Sequence, residues 1–168
     1  SLAKLRHEVE PVDQEVLARF LPAWHGMDAP RHGVDALLDA LALLQGTPIP
    51  ASTLEPDVLP ARVGAYRADL LDELLMSGEI VWVGAGAIGP RDGRIVLAFR
   101  DRAAKLFPPP GERPRGRVHD AIVDLLAQAG ASFWPDLLRA GGDAPETELL
   151  EALWDLVWDG RITNDTFA

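Results

Sequence analysis

Leu71-Asp-Glu-Leu-Leu-Met-Ser-Gly-Glu-Ile80 reads as a leucine-striped helix closed by a glycine and followed by a β-prone run, and the same order returns at Leu153-Trp-Asp-Leu-Val-Trp-Asp-Gly-Arg-Ile162. Leu71, Leu74, Leu75, Gly78 and Ile80 recur at a constant offset of 82 residues as Leu153, Leu156, Val157, Gly160 and Ile162. Upstream, Ala36-Leu-Leu-Asp39 is matched by Ala121-Ile-Val-Asp124 at an offset of 85, so the first copy carries about three extra loop residues. Each copy reads helix, short helix, helix and β-hairpin, the order of a winged helix-turn-helix. The expected fold is mainly α with small β-hairpins, built as tandem winged helix-turn-helix modules. An N-terminal helical segment occupies 1–33, module 1 spans 34–110 and module 2 spans 111–168.

The first segment turns helical over Val12–Trp24, where Val16, Leu17, Phe20 and Leu21 recur at helical spacing and Asp13 favours the positive helix end. Breakers fill Gly26–Gly33, and Val34–Gln45 is apolar on most sides and should be buried. Four prolines in Thr47–Pro60 limit that stretch to one short helical turn. The third helix is expected over about Ala65–Ser77, with Gly78 in the left-handed position that ends it. Glu79–Val83 and Arg94–Phe99 form a hairpin joined by a long tip, Gly84–Gly93, and Pro108-Pro-Pro-Gly111 follows as a stiff linker. Module 2 opens near His119, places its second helix at Trp134–Arg139 and its third at Pro145–Asp159, and starts a strand at Arg161–Thr163 that lacks a hairpin partner.

With 48% apolar residues and 25% charge the 168-residue chain can bury one or two globular cores. No apolar run approaches the roughly 18 residues of a membrane span, and no signal peptide is visible, so a cytoplasmic protein without membrane partners is expected. Cysteine is absent, which excludes disulfides and thiolate chemistry. The chain opens on Ser1, as a piece of a longer protein would.

A net charge of −10 argues against a free-standing DNA binder, because Lys and Arg supply most non-specific affinity for phosphate. The charge is uneven. Residues 118–168 hold ten acids against Arg139 and Arg161, whereas 91–117 hold eight bases against Asp92, Asp101 and Glu112. Arg91, Arg94, Arg113, Arg115 and Arg117 are therefore candidate phosphate contacts on the wing and linker. Arg62, Tyr66 and Arg67 lie where a recognition helix would begin. They are better accounted for if Tyr66 packs under the proline loop and the arginines are solvated or paired. Asp69, Asp72 and Glu73 just beyond them disfavour deep major-groove reading.

The four histidines show no ligand spacing, and no acid–base pair can be chosen among 26 acids without geometry. Gly84-x-Gly86-x-x-Gly89 has the spacing of a dinucleotide fingerprint but is followed by strand residues and not by a helix, so a wing is the better reading. Trp154 and Trp158 take the places of Asp72 and Met76, and one of them either joins the core or reaches a neighbouring domain.

Leu59-Pro-Ala-Arg-Val63, Tyr66, Leu71–Leu75, Ser77-Gly-Glu-Ile-Val-Trp82, Gly84–Gly89 and Asp92-Gly93 resemble the region after the motor core of the bacterial large helicase-related proteins, Lhr. Leu150–Trp158 with Gly160 and Thr163-Asn-Asp165, and Phe20-Leu-Pro-Ala-Trp24 with Gly26, are similar to the same family. The resemblance implies a long ATP-dependent DNA helicase acting in DNA repair, with tandem winged helices as an accessory, DNA-contacting region beside its other domains. No GxxxxGK[ST] or DExH sequence occurs here, so ATP and Mg belong to the parent, no cofactor to this piece, and the piece itself is expected to be non-catalytic. An acidic winged-helix adaptor that binds protein is the rival. A share in a glycosylase-like C-terminal region is a further alternative, and no residue here matches its catalytic group.

Overall fold

The computed structural model describes residues 12–167. Helix α1 (Gln14–Trp24) stands behind Asp13, and its apolar stripe of Val16, Leu17, Phe20, Leu21 and Trp24 is exposed, with no residue of the helix buried among the described residues. Phe20 and Trp24 stack on each other at 5.5 Å. The breaker-rich loop that follows holds a short strand, β1 (Arg31–His32).

Module 1 is built around α2 (Gly33–Leu44), which buries Ala36, Leu37, Ala40, Leu41 and Leu44 on one side, as its apolar pattern requires. Gly46 takes a φ of +78° and donates its N–H to Leu97 O at 3.0 Å, turning the chain into β2 (Ile49–Pro50). The proline segment carries more structure than the single turn expected from its sequence. A turn of helix, α3 (Ala51–Thr53), runs straight into a wider π-helical turn at Leu54–Val58. Pro56 has no N–H to offer the Ser52 carbonyl and its ring would crowd it, so the helix widens, and Leu59 N–H bonds Leu54 O at 2.9 Å. Leu54 and Leu59, both fully buried, anchor the turn in the core.

β3 (Val63–Gly64) pairs parallel to β1, and α4 (Ala68–Met76) follows. The third helix thus begins three residues later than its periodicity suggests. Ala65 takes a φ of +51° and Arg67 is extended at the N-cap, which breaks the helical run ahead of Ala68. Gly78, at φ +73°, ends the helix region as expected.

The hairpin β4 (Ile80–Gly89) and β5 (Asp92–Phe99) makes the wing, and β2 adds on the far side of β5 to give the order β2-β5-β4. The long glycine tip expected at 84–93 is instead strand as far as Gly89, irregular at Gly84–Ala87 and Ala87–Gly89, leaving Pro90-Arg91 as the turn. Glycine weakens a strand but lets it bulge, and that is what the pairing shift records. An unforeseen helix, α5 (Arg100–Leu106), precedes the proline linker.

Module 2 contains α6 (Arg117–Ala129), α7 (Trp134–Gly141) and α8 (Glu146–Trp158) around Val118, Ile122, Leu137, Leu149, Ala152 and Leu156. Gly160 repeats Gly78 with a φ of +75°. The expected strand at Arg161–Thr163 is not formed. This segment lies instead against β4 of module 1. Thr163 Oγ1 donates to Trp82 O at 2.7 Å, Phe167 N–H donates to Asp72 Oδ1 at 3.0 Å, and the Phe167 ring meets Trp82 edge-on at 5.7 Å. Ile162 packs on both cores. No helix among the described residues is long and apolar enough to cross a membrane.

Candidate nucleic-acid interface

The wing presents its charge at the turn. Arg91 follows Pro90 at the tip and Arg94 lies opposite Pro50 in the β2–β5 register, both exposed and neither with a side-chain hydrogen bond or ion pair among the described residues. Asp92, between them, is occupied. Its carboxylate accepts from Ser52 Oγ at 2.7 Å, Ser52 N–H at 3.2 Å and its neighbour Gly93 N–H at 2.9 Å. The Ser52 hydroxyl above all holds that carboxyl below the usual carboxylate range.

The linker arginines divide. Arg115 is exposed and without a partner among the described residues. Arg113 bonds Asp120 at 2.6 Å, and Arg117 bonds Asp143 at 3.0 Å and Gly141 O at 3.4 Å. Each of the latter two therefore meets a carboxylate of module 2. Arg102 and Lys105, counted in the basic stretch of the sequence but not chosen as contacts, stand exposed and unpaired among the described residues on α5. Their i, i+3 spacing was the available signal, and the missed helix hid it.

The three residues ahead of α4 are engaged within module 1. Arg62 is half-buried, donates from Nη1 to Val58 O at 2.8 Å and approaches His25 Nδ1 at 3.5 Å; burial lowers its pKa. The Tyr66 hydroxyl donates to Glu55 Oε1 at 2.7 Å, and burial first, then Glu55, pushes the phenol well above its ordinary range. Arg67 forks onto Asp69 at 2.9 and 2.5 Å, which raises the guanidinium and lowers the carboxyl. None of the three lies on the recognition helix itself, because α4 starts at Ala68. The outer face of α4 carries Asp69 and Glu73, so this helix is a poor match to a phosphate-lined groove.

A cleft of about 420 Å³ runs between β4 and the linker, walled by Gly84–Ala87, Pro108, Pro109 and Trp158. Its two carboxylates are paired, Asp155 with His119 at 3.0 Å and Asp159 with Arg161 at 2.8 Å. Among the described residues no group of three His, Asp or Glu side chains could hold a metal ion.

A helical core, a helix-turn-helix and a hairpin wing completed by a third strand define the winged-helix class. The chain belongs to the family described as "Large helicase-related protein, winged-helix domain", whose profile matches residues 12–100, from just ahead of α1 through the wing. It is similar to the Mycolicibacterium smegmatis protein named "Lhr helicase/ probable uracil glycosylase", with 43% identity over 171 residues that cover all of this chain and 11% of that protein. It is also similar to the Escherichia coli protein named "Lhr helicase/uracil glycosylase", with 34% identity over 190 residues that cover all of this chain and 12% of that protein. The chain therefore spans only a small part of the length of these relatives.

Proposed function

We propose that this chain is a DNA-contacting, scaffolding part of an ATP-dependent DNA helicase that works in DNA repair in the cytoplasm, with the wing tip as its contact. The observation that carries this reading is the pair Arg91 and Arg94, exposed at the wing turn and free of carboxylate partners among the described residues. Arg115 extends the same charge along the linker. The acidic face of α4 argues for backbone contact by the wing over base reading by the helix. ATP and Mg act in the motor of the longer protein, and this chain supplies no catalytic group.

The test is duplex binding by the intact chain across a salt series. Replacing Arg91 and Arg94 together by Ala should weaken binding and flatten log K against log salt by about 0.9 for each phosphate that is no longer neutralised. Unchanged slope and affinity in that variant would place the contact elsewhere. A second reading, a share in base excision, is favoured by the names of both relatives. Uracil release from DNA by the chain alone would support it.

A further inference from the structure

We propose that the outer face of α8 is a docking site for an arginine-bearing protein segment, seated on the indole of Trp154. Trp154 and Trp158 stack with centroids 5.1 Å apart and planes 19° apart, and Trp158 is itself in close contact with Gly93 of the wing. The stack is thus built on a fixed base, and its top ring is the one left open. Trp154 is 45% exposed, as is Leu150 (44%) one turn before it. Two large apolar side chains at i, i+4 on the third helix of the module form a ridge that nothing among the described residues covers.

The charge around the ridge selects what covers it. α8 carries Glu146, Glu148, Glu151 and Asp155 and no Lys or Arg. Asp155 is met by His119, whereas Glu146, Glu148 and Glu151 have no ion-pair partner among the described residues. Glu151 stands three residues before Trp154, on the same side of the helix. A nucleobase could stack on the open indole, but its phosphates would be brought among unpaired carboxylates. A guanidinium gains from both features, lying flat on the ring while its edge meets Glu151. The ridge adjoins the wing through Gly93, but the exposed charges of its own helix are acidic whereas Arg91 and Arg94 at the wing turn are basic, so the two faces sort partners of opposite charge.

The probe is a blocked pentapeptide, glycine–arginine–glycine–arginine–glycine, titrated to millimolar concentration into the intact chain while the indole N–H resonances are followed by NMR. The Trp154 signal should shift in a saturable way. Read in the variants on the adjoining Trp158 indole and the α8 backbone amides, binding should be abolished by Trp154→Leu with no loss of the folded spectrum and kept by Trp154→Tyr, and Glu151→Gln should weaken it about two- to fivefold, as removal of a modest charge interaction implies. A twin peptide with citrulline in place of arginine tests the charge directly. The proposal is overturned if the citrulline twin shifts Trp154 equally, if the arginine peptide gives no shift, or if oligodeoxythymidylate moves Trp154 where the peptide does not. Should Trp154→Leu fail to fold, the Glu151→Gln and citrulline arms decide.

Discussion

The Cβ that any residue other than glycine would carry at position 93 falls within the indole of Trp158. A residue of the module 1 wing and a residue of the last helix of module 2 are therefore in direct contact, with no room for an intervening side chain. Gly84 repeats the relationship on the other strand, where a Cβ would meet the Val157 carbonyl. Both contacts fall on the wing, and both come from the end of α8. Thr163 and Phe167 then fasten the chain that follows onto Trp82 and Asp72. The wing that presents Arg91 is thus braced from behind by module 2, and its outer strand edge is partly covered.

Gly93→Ala should loosen this brace. The new methyl must push the Trp158 ring aside, an overpacking of the kind that costs about 1–3 kcal/mol. Gly89→Ala is the matched control, since nothing lies within 4 Å of its Cβ position and its φ is unexceptional. Urea unfolding of the two variants should show a lowered midpoint for Gly93→Ala and almost none of that effect for Gly89→Ala. Equal midpoints would mean that Trp158 does not rest on the wing.

Tyr66 is the one tyrosine of the chain, so its ionisation can be read without ambiguity from the near-ultraviolet absorbance of phenolate. Burial and the bond to Glu55 raise its folded pKa above the unfolded value of about 10. A raised acid pKa means that the folded state holds the proton more tightly. Its contribution is complete below about pH 10 and is lost as pH climbs through the raised folded value. Phenolate should therefore appear only with alkaline unfolding. Tyr66→Phe should remove part of the alkaline sensitivity while costing about 0.5–1.5 kcal/mol at neutral pH for the missing hydrogen bond. Titration of the native chain near the free phenol range would show that the Tyr66–Glu55 bond is absent in solution.

The repeat at an offset of 82 residues carries most of the fold, because the leucine positions and the left-handed glycines report local periodicity and local backbone. Gly78 and Gly160 take φ values of +73° and +75°, the same role at matched places. What sequence could not supply is set by contacts distant along the chain. The glycines of 84–89 read as a loop, yet they are strand residues, and Gly84 among them leaves room for the α8 backbone. Thr163 reads as part of a strand of its own and is held instead by Trp82, 81 residues away. At the candidate site, Arg91, Arg94 and Arg115 could be chosen from charge alone. The pairing of Arg113 and Arg117 with Asp120 and Asp143 depends on how the linker enters α6, which no local pattern records.

Asp92 and Ser52 tie the wing turn to the start of α3. A folded carboxyl pKa below the unfolded value contributes stability above about pH 4, and this is lost as pH falls through the lowered folded pKa. Ser52→Ala removes the leading cause of that depression. Carboxyl-carbon NMR should find the Asp92 pKa moved up toward the ordinary aspartate range in the variant, with acid unfolding beginning at higher pH. An Asp92 titration unaffected by Ser52→Ala would dissolve the tie.

The paired and unpaired arginines should differ in their effect on DNA. Arg113 and Arg117 already satisfy carboxylates, so a phosphate must compete with Asp120 and Asp143 for them, and little net counterion release follows. Arg91 and Arg94 face no such competition among the described residues. In a salt series on one duplex, Arg91→Ala with Arg94→Ala should flatten the slope by up to roughly 1.8, at about 0.9 for each phosphate. Arg113→Ala with Arg117→Ala should change it much less and should lower thermal stability more, because both substitutions leave a module 2 carboxylate without its partner. Asp120→Asn with Asp143→Asn supplies the converse, freeing both guanidinium groups and steepening the slope. If the linker pair governs the slope and the wing pair leaves it unchanged, the basic contact runs along the linker and the wing serves only to brace it.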